Sequence, residues 1–186
     1  MQERENILRI FEETKEAMSR GDVAKIRDLS NHTTNTASLT QDPDNIAVAV
    51  IIYSLSKILE RKDYQDLQGW KIFQEAYVKS IDGIISSLKK GDEATFKKHL
   101  EAIRIVIGKL SGKLKERIQE VFRKASINKA SRIYDHGISM EKTAELLGVS
   151  LYELASYAGE KNESDVPEGK TVSVKSRINL VERFFR

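Results

Sequence analysis

Apolar residues return every three or four positions along most of this chain, the pattern of helices with one buried face. Over residues 2–20 the stripe is Ile7, Leu8, Ile10, Phe11, Thr14 and Met18, and Gly21 is placed to end it. Asp22 can cap a second helix beginning VAKIRDL. That helix runs into SNHTTNTASLTQ, whose hydroxyl and amide side chains compete for the backbone, so an irregular segment is expected there. Asp42 and Pro43 then start IAVAVIIYSLSKILE, apolar on more than one face and therefore expected to be the central buried helix. Residues 62–65 close it.

A long helix is expected from about Asp66 to Lys90, with Trp70, Phe73, Tyr77, Ile81, Ile84 or Ile85 and Leu88 on its buried face. Lys90 to Asp92 repeats the glycine stop and aspartate cap of Arg20 to Asp22. The next helix, about Glu93 to Leu110, buries Phe96, Leu100, Ile103 and Ile107, and Ser111 with Gly112 separates it from one running from Leu114 to about Asp135. With only two prolines and ten glycines to interrupt the backbone, the expected fold is all-α.

The order of residues in SMEKTAELLGVSLYELASYAG, from Ser139 to Gly159, implies a more specific device. Ser139 can cap a short helix whose Met140, Thr143, Ala144 and Leu147 share a face. Gly148 stops it, Val149 can fill the gap, Ser150 can cap a second helix, and Leu154 with Tyr157 or Ala158 returns to the shared core. The small Ala144, the turn glycine Gly148 and the apolar Val149 and Leu154 resemble the regulatory helix-turn-helix family, and the whole chain resembles small archaeal proteins that join a helical bundle to such a motif, which implies a regulator or an antitoxin-like binding partner. The expected organisation is a bundle over 1–110, a helix-turn-helix region over 113–159, a linker over 160–172 and a C-terminal arm over 173–186. In that arm Ile178, Val181, Phe184 and Phe185 are apolar beyond a polar linker, so a homodimer or partner protein is expected to cover them.

Charge changes the picture along the chain more than in total. The net charge is only +3, but residues 89–132 hold thirteen basic and five acidic residues, and 133–168 hold two basic and eight acidic. The resemblance implies DNA binding through the second helix of the motif, with Ser150, Tyr152 and Ser156 toward the bases and Lys142, Lys124, Lys129 and Arg132 toward phosphates. That helix offers no Arg, Lys, Asn or Gln on its outer face, so direct base readout is expected to be weak.

A rival lies in IRDLSNH, where Arg27, Asp28 and His32 are similar to the motif of the HEPN family of helical ribonucleases. That resemblance implies an arginine steadying phosphate charge, a polar residue orienting it and a histidine moving a proton. A third expectation is a protein-interaction module without nucleic acid. Cysteine is absent, which excludes disulfides, thiolate metal sites and thiol catalysis. No glycine-rich phosphate loop and no metal-spaced histidine pair occurs, so no cofactor and no metal is expected. The charged start and the short apolar run Ile46 to Leu55 lead to the expectation of a cytoplasmic protein with no membrane segment.

Overall fold

The computed structural model describes residues 3–40, 42–147 and 149–164, and within them the chain is helical apart from turns. The order is α1 (Arg4–Arg20), α2 (Val23–Thr40), α3 (Pro43–Leu59), a 3-10 turn (Lys62–Tyr64), α4 (Trp70–Lys90), α5 (Glu93–Lys109), α6 (Gly112–Asp135), α7 (Met140–Leu147) and α8 (Leu151–Ser164). No described helix is long and apolar enough to cross a membrane.

The two glycine-aspartate punctuations are built alike. Gly21 and Gly91 take φ of 68° and 70°, which ends the preceding helix. Asp22 and Asp92 then send their N–H back to Ala17 and Ser87, while their carboxylates accept from Lys25 and Thr95 N–H to start the next helix. Asp42 caps α3 in the same way, accepting from Asp44 N–H at 2.9 Å.

The largest core gathers Ile7, Ile10 and Phe11 of α1, the Val48 to Ile58 side of α3, Phe73, Tyr77 and Ile84 of α4, and Phe96 and Ile103 of α5. It continues across the expected 110–113 boundary into α6 through Leu114, Ile118 and Val121. The second half of α6 belongs to other clusters: Ile133 packs with Ala37, Ile46 and Ile138, and Ala130 packs with Ala144 of α7 and Leu154 of α8. One continuous helix therefore carries the α7–α8 pair on the bundle.

Three expected boundaries need correction. The Ser, Thr and Asn tract is not irregular, because α2 is continuous to Thr40. Its hydroxyls donate to the carbonyl one turn back, Thr33 to Leu29, Thr34 to Ser30 and Ser38 to Thr34 at 2.8–2.9 Å, so they spend their polarity inside the helix and are buried. The long helix begins at Trp70 and not at Asp66, because Gly69 has φ of 92°, outside helical space. Residues 160–164, expected as linker, extend α8 to Ser164; Gly159 lowers helix propensity without breaking the hydrogen-bond run. The remainder of that linker and the 173–186 arm, with Ile178, Val181, Phe184 and Phe185, lie outside the described residues.

Small hydroxyl residues let α2 sit close against α3, where Ser30 Oγ donates to the Ala49 carbonyl at 2.8 Å with no exposed surface. Ser30→Val is expected to destabilise the chain by about 1–3 kcal/mol by overpacking this contact, and Ser30→Ala by about 1 kcal/mol through removal of the hydrogen bond. Urea denaturation measures both, and a valine variant as stable as the parent would show that the two helices do not meet this closely.

Candidate nucleic-acid interface

Two serines set the geometry of the α7–α8 pair. Ser139 Oγ accepts from Lys142 N–H at 3.2 Å and starts α7. Ser150 Oγ accepts from Glu153 N–H at 3.1 Å while Glu153 Oε2 accepts from Ser150 N–H at 3.3 Å, a reciprocal capping box that starts α8. Between them Val149 N–H bonds back to the Ala144 carbonyl and its side chain packs on the Ala130, Ala144 and Leu154 cluster. Ala130 and Ala144 are small enough to let α6 and α7 approach closely.

Two polar contacts then fix α8 along α6. Arg123 Nη1 pairs with Glu153 Oε1 at 2.9 Å, and Asn128 Nδ2 donates to the Tyr157 hydroxyl at 3.0 Å. The basic middle and the acidic motif thus meet within one chain. Arg123 also holds Glu120, which Lys124 approaches at 3.3 Å; the two cations pull the Glu120 carboxyl down to about 2. Hydrogen bonds from Ser150, followed by Arg123, keep the Glu153 carboxyl below its ordinary range.

A cleft of about 560 Å³ opens where α8 and α6 face the end of α3. Tyr152 and Ser156 border it from α8, Arg123, Lys124 and Asn128 from α6, and Tyr53, Lys57 and Arg61 from α3 and the residues just after it. Tyr152 is 80% exposed, with Leu151, Ala155 and Ser156 also open on the outer face of α8. Lys57 pairs with Glu60 at 2.8 Å, and Arg61 donates to the Lys57 carbonyl at 2.6 Å with its guanidinium over the Tyr64 ring.

Of the seven residues assigned to DNA from sequence, the cleft brings together Lys124, Tyr152 and Ser156. Ser150 is used as a helix cap, and Lys142 pairs with Glu145 at 3.1 Å beyond the cleft. Lys129 requires correction as a phosphate contact. It is 0% exposed, its Nζ lies 4.4 Å from the Tyr53 ring centre, and it donates to Asn31 Oδ1 at 3.2 Å. Arg132 donates to the same Asn31 oxygen at 2.9 Å and faces away from the cleft. Arg27, Asp28 and His32 stand exposed on α2, with Arg27 at 3.6 Å from Glu60, and none of the three lines the cleft. Five positions separate Arg27 from His32, which sets them roughly 140° apart around a helix. No group of three His, Asp or Glu side chains among the described residues is placed to hold a metal.

The α3 contribution was missed, although a signal for it existed. Tyr53 and Lys57 stand four residues apart on α3, and Arg61 follows at the same spacing just past its end.

Burial, with a smaller contribution from nearby Arg132, pulls the Lys129 ammonium down to about 7 from 10.5. Between those two values the unfolded chain holds a proton that the folded chain has released, so stability rises with pH through that window. Lys129→Met removes the titration. The variant is expected to be more stable than the parent below pH 7 by a few kcal/mol, with the advantage shrinking toward pH 10. Urea denaturation at a series of pH values tests this, and a difference that stays constant would contradict it. No family model matches the chain, and no curated protein and no solved structure is significantly similar to it.

Proposed function

We propose that α6, α7 and α8 form a helix-turn-helix of the regulatory type, and that the chain is a non-enzymatic nucleic-acid-binding protein acting on duplex DNA. The observation that supports this most is the placement of Tyr152 and Ser156 on the outer face of a short capped helix, beside the cations Lys57, Arg61, Arg123 and Lys124. A helix that enters the major groove needs cations on neighbouring elements to grip the phosphates on its flank, and α3 and α6 supply them. Lys57, Arg123 and Lys124 carry carboxylate partners. Exposed pairs of this kind contribute little to stability and exchange readily for phosphate.

The outer face of α8 holds Leu151, Tyr152, Ala155 and Ser156, with no bidentate base reader among them. Affinity then comes mainly from phosphate contacts, with sequence preference from a tyrosine, a serine and apolar contact with thymine methyl groups. A homodimer through Ile178, Val181, Phe184 and Phe185 belongs to the same proposal, because two copies of α8 would double a modest readout.

Anisotropy titrations against mixed-sequence duplex DNA at several salt concentrations test the proposal. Binding is expected to weaken steeply with salt, and Lys57→Gln with Lys124→Gln to lower the slope of log K against log salt by about 0.9 for each phosphate that is no longer gripped. Tyr152→Ala with Ser156→Ala is expected to remove sequence preference while leaving helix content unchanged. DNA binding indifferent to all four substitutions would place the interface elsewhere; no binding at low salt would end the nucleic-acid proposal.

A further inference from the structure

A second cavity, of about 300 Å³, opens between α2, α6 and α8. Asn128 and Tyr157 line both this cavity and the cleft, so the hydrogen bond between them forms a shared wall. The residues that line it have polar side chains: Asn35 of α2, Asn128, Ser131, Arg132 and Asp135 of α6, His136 just after it, and Tyr157 of α8. Polar side chains gathered where three helices pack are costly unless their hydrogen bonds are met. Two are not met by the described residues: Asn128 Oδ1 and Ser131 Oγ are shielded from water and have no partner among them, and Ser131 is only 1% exposed. Three positions apart, they are neighbours on one face of α6.

Charge in the cavity is divided. Arg132 spends one N–H on Asn31 Oδ1, and Lys129 donates to the same oxygen. That acceptor is neutral, so the contact does not compensate the charge of Arg132, the one of these two that lines the cavity. One turn further along, Asp135 supplies the opposite charge to the lining. It already has an interaction of its own, and a carboxylate has acceptor sites for a further donor. A guanidinium and a carboxylate on one wall, with an unmet amide oxygen and an unmet hydroxyl beside them, match a ligand that carries both an oxyanion and an ammonium.

We propose that this cavity binds a free α-amino acid, its carboxylate on Arg132, its ammonium on Asp135, and its remaining polar atoms toward Asn128 and Ser131. A lone anion meets Asp135 unfavourably and a lone amine meets Arg132 unfavourably, so neither alone satisfies the site. Occupancy reaches α8, because Asn128 holds Tyr157 in place and both residues also border the cleft. That regulatory consequence rests on the nucleic-acid proposal; the binding itself does not.

The test uses the full chain without nucleic acid. Thermal denaturation and amide chemical shifts are followed as the proteinogenic L-amino acids are added one at a time at millimolar concentration, with acetate and methylamine as single-charge probes. At least one amino acid is expected to raise Tm and to move Asn128, Ser131 and Tyr157, while acetate and methylamine do neither. Arg132→Gln and Asp135→Asn, both at exposed positions, are each expected to weaken binding by roughly tenfold or more, with the ligand-free Tm little changed. Absence of binding by every amino acid, equal affinity in both variants and the parent, or acetate or methylamine binding as well as the best amino acid would overturn the proposal. Because no DNA is present, a failed DNA titration leaves this site standing, and a failed amino-acid titration leaves the DNA proposal standing.

Discussion

The structure depends on α6 being buried in more than one core along its length. Its first half supplies Leu114, Ile118 and Val121 to the bundle around α3, and its second half supplies Ala130 and Ile133 to the clusters that hold α2, α7 and α8. A continuous helix of 24 residues transmits position along its axis with little slack, so the α7–α8 pair is held in register with α3 and not tethered to it. Arg123 to Glu153 and Asn128 to Tyr157 then set the rotation of α8. The cleft exists because of that register. Without it, Tyr152 and Ser156 would have no fixed relation to Lys57 and Arg61.

The charge asymmetry of the sequence has a structural use that differs from simple attraction for phosphate. The basic helix and the acidic pair neutralise each other where they touch, at Arg123 and Glu153. That contact orders α8, and it also lowers the positive potential available to a partner. On the proposed reading, nucleic-acid binding at this surface is accordingly modest and sensitive to salt, with its phosphate contacts drawn from residues that exchange a carboxylate partner for another anion.

Much of the fold was legible in the sequence because its signals are local. A glycine followed by an aspartate needs only a few neighbouring backbone groups to end one helix and begin the next, and the buried stripes of α1, α4 and α5 follow from spacing alone. Ser139 and Ser150 were readable as caps for the same reason. The tract in α2 was not, since its helix survives on hydroxyls that bond one turn back and on close packing with α3, a tertiary effect that overrides propensity. The site was less legible than the fold. Lysine is usually solvated, so nothing local reveals that Lys129 lies under Tyr53 against Asn31, and nothing local brings Lys57 of α3 beside Tyr152 of α8, nearly a hundred residues away.

The measurement that tests the central claim most directly is a chemical-shift map of the labelled full chain as mixed-sequence duplex DNA is added at low salt. The register imposed by α6 predicts perturbations at Leu151 to Gly159, at Arg123 to Asn128 and at Tyr53 to Arg61, three segments far apart in sequence that share one cleft, with the outer faces of α4 and α5 silent. Shifts concentrated on α4 and α5, or on α8 with neither α3 nor α6 responding, would contradict it.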